Sequence, residues 1–461
     1  MGVADLLSAI DAVAHEAVLF AAIGLIIGGV DDLLVDLLFL IHLVGHGNRR
    51  EPNLGTLPPP RSTGRIVVFV AAWDEVAVIG SMLSAALARF DHPDYRIYVG
   101  LYPNDRPTIE AATRVACTDA RIRLVIGARP GPTTKADNLN SVWRALLADE
   151  RRDGVTVKAI VLHDAEDVVH PAELRLFDTL IEERAVVQLP VLPLIKPGAR
   201  LVSGHYADEF AEAHGKALVV RTRIGAAMPL AGTGCAIARS MLERIADERD
   251  GNPFDATSLT EDYELGLRIA DLGGRALFAR VRDENTGMLV AVRAYFPATI
   301  ATATRQKARW ITGIALAGWD RTGWARLPDL ADHWMRMRDR RAPIAVLVLA
   351  TAYVAVAAGA IRALAHLWTD VALHVDPLET RLLAATAALL AWRVGARMIC
   401  TGRCYGWREA LWAVPRVFVG NLIALMAAPR ALTRYVAMLL GAPPVWDKTR
   451  HEFPVDAEAG R

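Results

Sequence analysis

Two short stretches in the second half of the chain carry side chains suited to group transfer. The first, Thr260-Glu261-Asp262, opens an apolar helical pattern, and a carboxylate aimed at a cavity could remove a hydroxyl proton. The second puts Gln306, Arg309 and Trp310 on neighbouring helical faces, where Arg can grip diphosphate oxygens and Trp can stack on a ring. Each has a structural alternative, because Thr260 is a good helix N-cap and an Arg with a Trp is typical of a helix at a membrane interface.

Acidic side chains follow three of the predicted strands. Glu75 comes after the first strand, Asp105 after the second, and Asp164, Glu166 and Asp167 after the fourth. Like charges at one edge of a sheet repel unless a cation offsets them, and carboxylates are suitable ligands for Mg²⁺ or Mn²⁺. The sequence therefore predicts a metal site on Asp164 and Glu166, with Asp167 as a further ligand. A helix N-cap is the alternative for Asp167.

Two loops offer groups that could approach a phosphorylated ligand. Lys135 lies near the start of a predicted helix, where a phosphate could bind, although the loop lacks the Gly-Lys-Ser/Thr of a Walker motif. The segment Gly232, Thr233, Gly234 is small and flexible, which suits close approach of the backbone to a ligand. A solvated lysine and a plain turn are the alternatives for these two features.

The elements that must position these side chains follow from a repeated alternation of patterns. Strands are predicted at Ile66–Val70, Arg96–Leu101, Arg123–Ile126 and Lys158–Leu162, with helices at Glu75–Arg89 and Asp137–Leu147. Such alternation is typical of βαβ units, in which helices cover both faces of a mostly parallel sheet. Ligands of such α/β sheets bind beyond the carboxyl ends of the strands, where the acidic residues fall.

Composition divides the chain into soluble and apolar parts. Its 461 residues predict one large domain with additional elements, and a net charge of +1 gives no nucleic-acid signature. The four cysteines have neither the number of a disulfide framework nor the spacing of a zinc site. Apolar blocks long enough to cross a bilayer flank the soluble part. The predicted divisions are an N-terminal membrane helix region at 1–48, a soluble domain at 60–335, transmembrane or interfacial helices at 343–441, and a tail at 442–461.

The charges beside the apolar blocks predict a topology. Arg61 and Arg65 follow the first block and further arginines precede the second, so both ends of the soluble domain are expected in the cytosol. The acidic loop with Asp370, Asp376 and Glu379 is expected on the far side, and the tail is expected in the cytosol.

Polar residues inside the apolar blocks leave two questions open. Asp31, Asp32 and Asp36 are costly in a membrane unless they are paired or hydrated. They predict either a polar seam paired with Arg393 or Arg397, or an amphipathic helix that only grazes the membrane. The last block, at about 411–441, predicts either a broken hairpin or a helix that lies along the interface.

These motifs, in this order, resemble those of the glycosyltransferase family 2 membrane synthases, the class of cellulose and hyaluronan synthases. The similarity spans about Ile66 to Trp310 and rests on the strand-end acids, Lys-Ala-x-Asn-Leu-Asn, Gly-Thr-Gly, Thr-Glu-Asp and Gln-x-x-Arg-Trp. The whole chain is most similar to the phage-adsorption protein B branch. That similarity rests on the Asp-Asp-Leu pattern of the first apolar block, on His-Asp-Ala-Glu-Asp and on the tail from Trp446 to Pro454.

The resemblance implies a GT-A (Rossmann-like) fold with a cytosolic active site, between N-terminal and C-terminal transmembrane helices of the bacterial inner membrane. It implies that Glu75 and Asp105 contact the nucleoside of the donor and that Asp164 lies near its phosphate and metal. Glu166 stands where many members have Asp, which leaves open whether Glu166 or Asp167 is the ligand. Asp262 would be the general base, and Gln306, Arg309 and Trp310 would hold the diphosphate and the acceptor.

The resemblance also implies an activity. The enzyme would transfer a sugar, with inversion, from a UDP-sugar such as a UDP-N-acetylhexosamine. It would elongate and export an exopolysaccharide, together with an export partner in the outer membrane. One alternative is the transfer of a single sugar to a lipid carrier. Another is a non-catalytic membrane scaffold or phage-receptor component, against which the intact set of acidic residues argues.

Overall fold

A seven-stranded sheet organises the middle of the chain, in a computed structural model that describes residues 3–45, 51–369, 376–442 and 451–454. The strands are β1 (Ile66–Ala71), β2 (Tyr95–Leu101), β3 (Ile122–Ile126), β4 (Ala159–His163), β5 (Val186–Gln188), β6 (Cys235–Ala238) and β7 (Ala276–Phe278). Their order is β3-β2-β1-β4-β6-β5-β7, and β6 runs antiparallel to both of its neighbours. The other pairings are parallel, which confirms the mostly parallel sheet.

Helices cover both faces of this sheet. After α1 (Val3–Gly45) come α2 (Ile79–Arg89), α3 (Arg106–Ala116), α4 (Lys135–Asp153), α5 (Glu173–Leu180), α6 (Val202–Glu212), α7 (Leu218–Arg223), α8 (Arg239–Asp247), α9 (Glu261–Asp271), α10 (Ile300–Trp310), α11 (Ala317–Thr322) and α12 (Leu330–Arg340). Successive residues of β1 point to opposite faces, so Val68 and Val70 pack with α2 and α5, while Val67 and Phe69 pack with α4 and α8.

Helix α2, which follows β1, begins at Ile79 rather than at Glu75, where the sequence predicts it. The residues from Glu75 to Val78 form a turn, in which the Glu75 carbonyl accepts hydrogen bonds from the amides of Val78 and Ile79, and α2 follows that turn. The Glu75 side chain consequently stays at the end of β1. In contrast, α4 begins at Lys135, where the Thr134 hydroxyl accepts a hydrogen bond from the Asp137 amide at 3.2 Å.

Among the described residues, four helices are long and apolar enough to span a membrane: α1 and the three C-terminal helices α13 (Ala342–Thr369), α14 (Pro377–Tyr405) and α15 (Trp407–Leu439). Of the acidic loop predicted on the far side, Asp370 lies outside the described residues. Asp376 caps α14, and Glu379 belongs to α14, where it lies 2.7 Å from His15 of α1.

The acidic residues of α1 are paired, which confirms the polar seam. Asp32 forms an ion pair with Arg393 of α14, as predicted, and also contacts Arg338 and Arg341. Asp31 binds the same two arginines, and Asp36 binds Lys216 and the indole N–H of Trp392. The pairing with Arg397 is wrong, since Arg397 lies 3.0 Å from Glu212 of α6. These pairs fix α1 to α14 and to the sheet domain.

The last apolar block is one continuous helix, α15, so the broken hairpin is wrong. Pro415 and Pro429 lie inside it without ending it. A proline removes one backbone hydrogen bond and can kink a helix, but packing on both sides can carry the helix through. Here Arg416, next to Pro415, is buried against Asp208 of α6, and Ala431, just after Pro429, is buried against Ala308 of α10. Of the tail, Trp446 to Arg450 lie outside the described residues, while 451–454 are described.

Candidate active site

A cavity of about 710 Å³ opens at the carboxyl ends of β1 and β4. Its walls come from these strand ends, from the first turn of α9 and from α10, and two tail residues, His451 and Glu452, close one side. The sequence-predicted residues that line it are Glu75, Lys135, Asp164, Glu166, Asp167, Thr233, Thr260, Glu261, Asp262, Gln306, Arg309 and Trp310. Residues separated by most of the length of the chain therefore share one space.

Glu75, Glu166 and His451 form the group best placed to hold a metal ion. Their candidate ligand atoms all lie within 4.8 Å of one another. The His451 Nδ1 lies 2.9 Å from Glu75 Oε1 and 3.3 Å from Glu166 Oε2. Burial raises the pKa of Glu166 to about 8, against the lowering effect of His451. Although burial alone would lower the pKa of His451, Glu166 and Glu75 raise it to about 9.

Asp167 serves the packing of the site. Its carboxylate accepts hydrogen bonds from the Thr233 hydroxyl, from the Asp164 amide at 2.9 Å and from His163 Nδ1–H at 2.8 Å. The other His163 nitrogen lies 2.6 Å from Glu173 Oε1. Burial alone would lower the pKa of His163, but Glu173 and Asp167 raise it to about 10, so the imidazole is cationic. The sequence left open whether Glu166 or Asp167 is the metal ligand, and Glu166 is the one that lies beside Glu75 and His451. Nor is Asp167 a helix cap, since α5 begins at Glu173.

Lys135 joins the metal side of the cavity to the α9 side. Its ammonium donates hydrogen bonds to Asp164 Oδ1 at 2.5 Å and to the Gly232 carbonyl at 3.3 Å. Burial by itself would lower the pKa of Lys135, but Asp164, Glu261 and Asp262 together raise it. Lys135 is thus a fixed positive charge among three carboxylates, rather than the solvated lysine that was the alternative.

Asp262 lies at the start of α9, as predicted. Its Oδ1 accepts a hydrogen bond from the Tyr263 amide at 2.8 Å. Burial raises the pKa of Asp262 against the opposing effect of Lys135, and burial with the charge of Asp262 raises the pKa of Glu261 to about 7. Thr260 occupies the N-cap position, but its hydroxyl makes no capping hydrogen bond to the described first turn. Asp262 is therefore a partly buried carboxylate whose pKa lies above that of a solvated one.

Gly232 permits a close approach of the backbone to Asp262. Its φ of +75° is a conformation that side-chain-bearing residues rarely adopt, and a Cβ there would lie 2.4 Å from Asp262 Oδ2. Gly234, with φ of +58°, faces Val292 instead and lies outside the cavity wall. The sequence predicts close approach of the backbone to a ligand at this motif, and the group that Gly232 approaches in the structure is the Asp262 carboxylate.

The residues of α10 form the wall opposite the acidic strand ends. Gln306, Arg309 and Trp310 all line the cavity, and the charge of Arg309 lowers the pKa of Asp262 and Glu261 in opposition to burial. Lys307 lies on another side of the helix, bound to Glu209, with its ammonium 4.8 Å from the centroid of the Trp310 ring. This cation holds the indole and was missed in the sequence, where no spacing connects it to Glu209 of α6.

Asp105 is not among the residues that line the cavity, and its predicted contact with a nucleoside stays a prediction. It caps α3 through the Thr108 amide at 3.4 Å and accepts a hydrogen bond from the Asp74 amide at 2.6 Å. The bond from the Asp74 amide ties the turn after β1, which carries Glu75, to the start of α3. His451 was also missed as a site residue, because it is remote in the sequence, and the tail motif that contains it was the available signal.

A family model described as glycosyltransferase-like family 2 matches residues 60–313, which is more than half of the chain. This chain belongs to glycosyltransferase family 2. It is 35% identical over 459 residues to bacteriophage adsorption protein B of Escherichia coli K12, and equally to bacteriophage N4 adsorption protein B of Escherichia coli O157:H7. These alignments cover 94% of this chain and 61% of each relative, so the chain spans under two thirds of their length.

A solved structure shows the same fold. A mannosyltransferase from Pyrobaculum calidifontis, in complex with GDP-Man and Mn²⁺, superposes with a TM-score of 0.52 at 18% identity and covers 89% of this chain and 99% of its own. The GT-A fold is thereby confirmed, and the chain is a glycosyltransferase with helices long and apolar enough to span a membrane.

Gly232→Ala tests the contact between Gly232 and Asp262. An alanine at φ of +75° is strained, and its Cβ would displace the Asp262 carboxylate. We expect the rate of sugar transfer to fall at least about tenfold, which corresponds to about 1.4 kcal/mol in activation free energy. Gly225→Ala is the matched control, because Gly225 also has φ of +75° but no atom within 4 Å of its added Cβ. Equal transfer rates in the two purified variants, at equal thermal stability, would contradict the role of Gly232.

Proposed function

We propose that this glycosyltransferase is a metal-dependent, inverting enzyme of the bacterial inner membrane, with its catalytic domain in the cytosol. It transfers a sugar from a UDP-sugar to a growing exopolysaccharide. The main support is that Asp262, Asp164 and the possible metal group line one cavity, with Lys135 between them. A panel of nucleotide-sugar donors would identify the nucleotide and the sugar. It should include GDP-mannose, because the mannosyltransferase of the same fold binds it.

Asp262 is the group we propose as the general base. A hydroxyl of the acceptor attacks the anomeric carbon while its proton passes to the Asp262 carboxylate, and the bond between that carbon and the diphosphate oxygen breaks. Attack opposite the leaving group inverts the configuration at the anomeric carbon. The raised pKa of Asp262 makes it a stronger base, while Lys135 and Arg309 favour its ionised form. Thr260 and Glu261, which the sequence predicts as catalytic together with Asp262, precede it directly at the start of α9 and line the same cavity.

A divalent cation fits the group of Glu75, Glu166 and His451. Carboxylate oxygens suit both Mg²⁺ and Mn²⁺, and the imidazole favours Mn²⁺ of the two. A bound cation would offset the negative charge of the donor diphosphate and of the departing nucleotide. Asp164 stands beside this group, where its charge raises the pKa of Glu166 and His451. Lys135, already between Asp164 and Asp262, is placed to bind a phosphate oxygen, as is Arg309 across the cavity.

Asp262→Asn should abolish sugar transfer and leave donor binding within about threefold, because an amide keeps the shape of the carboxylate but cannot take a proton. Glu261→Gln is the control from the same turn, and it should retain measurable transfer. Transfer is followed with radiolabelled donor in membranes, and donor binding by calorimetry on the purified protein. Transfer by Asp262→Asn above a tenth of the parent rate would reject Asp262 as the base.

Glu166→Gln should weaken Mn²⁺ binding at least about tenfold and should change the thermal stability of the metal-free protein little, since the contact it weakens is the 3.3 Å ion pair with His451 of the tail. Asp167→Asn should do the opposite. It breaks the contact with the cationic His163 inside the domain, so it should lower the unfolding temperature while the remaining folded protein still binds Mn²⁺. The two effects are separated by Mn²⁺ titration monitored by electron paramagnetic resonance and by thermal unfolding. Reversed effects would assign the ligand role to Asp167.

Transfer of one sugar to a lipid carrier is the second candidate, and the lining of the cavity favours it. Aromatic and aliphatic side chains line the end near α10, among them Phe210, Phe296 and Ile314. Among the described residues, no lining residue comes from α1, α13, α14 or α15, which could have formed a passage for a polymer through the membrane.

Product length separates these two functions. A polysaccharide synthase should give a ladder of products on gels when the donor is in excess, whereas the second candidate should give one addition to a lipid-extracted acceptor. Absence of both products and of donor hydrolysis, with every donor of the panel and Mn²⁺ present, would favour a non-catalytic membrane scaffold.

A further inference from the structure

Helix α15 lies on the sheet domain along most of its length. Near its start, Arg416 donates hydrogen bonds to Asp208 at 3.1 Å and to the Arg200 carbonyl at 3.0 Å. In the middle, Ile423 packs in one buried cluster with residues of α6 and α10. Towards its end, the Ala431 carbonyl accepts a hydrogen bond from the Thr312 hydroxyl at 3.4 Å, and the Tyr435 hydroxyl binds Asp320 of α11.

The length of this contact is incompatible with a crossing. From Arg416 to Tyr435 a helix rises by about 28 Å, which is close to the thickness of a bilayer's hydrocarbon core. A helix that crossed the bilayer would leave the domain within its first turns. Instead, α15 runs beside α10 and the π-helical turn that continues it, Ile311–Leu316, so the two follow the same surface of the domain.

The opposite face of α15 is apolar and exposed. It carries Leu411, Phe418, Leu422 and Val436, whose exposed fractions are 55%, 66%, 45% and 45%. Their spacing in the sequence keeps them on one side of the helix, away from Arg416, Ile423 and Ala431, which are buried. An amphipathic helix of this kind buries its apolar face at the boundary of headgroups and acyl chains.

The tail gives an independent constraint on the side of the membrane. Beyond α15, His451 contacts Glu75 and Glu166 in the cavity, Glu452 forms an ion pair with Lys196 at 2.5 Å, and Phe453 packs against the core of the sheet. The start of α15 is equally close to the domain, because Tyr405, at the end of α14, donates a hydrogen bond to the Pro193 carbonyl at 2.8 Å. Both ends of α15 are therefore on the side of the catalytic domain.

We propose that α15 does not cross the bilayer but lies on its surface beside the catalytic domain, with Leu411, Phe418, Leu422 and Val436 inserted among the lipids. The length and composition of α15 would allow a crossing, but its contacts do not. The bilayer surface is then the partner of the outer face of α15, and the inner face supports α10, whose Gln306, Arg309 and Trp310 line the cavity. This inference does not depend on the identity of the sugar donor.

Cysteine labelling of the full chain in membranes tests the sidedness. The four native cysteines are replaced, and single cysteines are compared at position 117, where the native Cys117 is exposed on the catalytic domain, at Ala442→Cys after α15, and at Thr380→Cys at the first turn of α14. A membrane-impermeant maleimide should label Ala442→Cys and Cys117 in the same vesicle orientation, and Thr380→Cys in the other. Labelling of Ala442→Cys together with Thr380→Cys would overturn the proposal.

A second measurement keeps the test valid if the cysteine-free chain does not fold. The unchanged chain is fused at its C-terminus to green fluorescent protein or to alkaline phosphatase, and the same fusions are made after Thr369, at the end of α13. The two junctions should report opposite sides of the membrane, because α14 crosses and α15 does not. The same side at both junctions would mean that α15 crosses as well.

The depth of α15 distinguishes lipid from a protein cover. A fluorophore attached to single cysteines at Leu411, Phe418, Leu422 and Val436 is quenched in vesicles by lipids that carry a nitroxide at a shallow or a deep acyl position. The proposal expects strong shallow quenching of similar size at all four positions, and weak quenching at the inner-face control Ala427→Cys, which is buried. A depth that changes steadily along the helix, or no quenching at any position, would contradict it.

Discussion

Lys135 lies where three carboxylates from two separate segments meet, and the rest of the site depends on that partly buried positive charge. Asp164 ends β4, and Glu261 with Asp262 begins α9, so their approach would be unfavourable without an opposite charge between them. The ammonium donates to Asp164 and, through the Gly232 carbonyl, to the loop that touches Asp262. One side chain therefore links Asp164 to the start of α9, where Asp262 is the residue we propose as the base. His163 has the same role one layer deeper, between Asp167 and Glu173.

The strand-end acids could be predicted from the sequence because parallel strands bring their carboxyl ends to one edge of a sheet. The same argument could not separate the functions of these acids. Asp164 and Asp167 stand in one short motif, and their roles differ because Thr233 and His163 face only the second of them. Such partners come from other segments, and no spacing within the motif reveals them. The continuity of α15 through Pro415 and Pro429 was equally hidden, because tertiary contacts with α6 and α10 overcome the local effect of proline.

The side chain of Glu166 meets the tail of the chain. It lies beside Glu75 and His451, so that two carboxylates and one imidazole come together. In isolation, Glu75 and Glu166 would repel each other, and the His451 cation offsets their charges. A divalent ion would offset them in the same way. Since an imidazole that binds a metal must be neutral, such an ion would take the place of the His451 proton, and the tail supplies a side chain of the site in either state.

Helix α10 connects the cavity to α15. Lys307 binds Glu209 of α6 and holds the Trp310 ring, while Ala308 on the same helix packs against Ala427 and Ala431 of α15. One face of α10 thus touches the cavity and another touches the helix that we place on the lipid surface. Since α15 is also buried against α6 through Arg416 and Asp208, a displacement of α15 would move both α6 and α10. The wall proposed to receive the acceptor is therefore held at a fixed height relative to the bilayer, which is where a lipid-linked or emerging polymer chain would have to meet it.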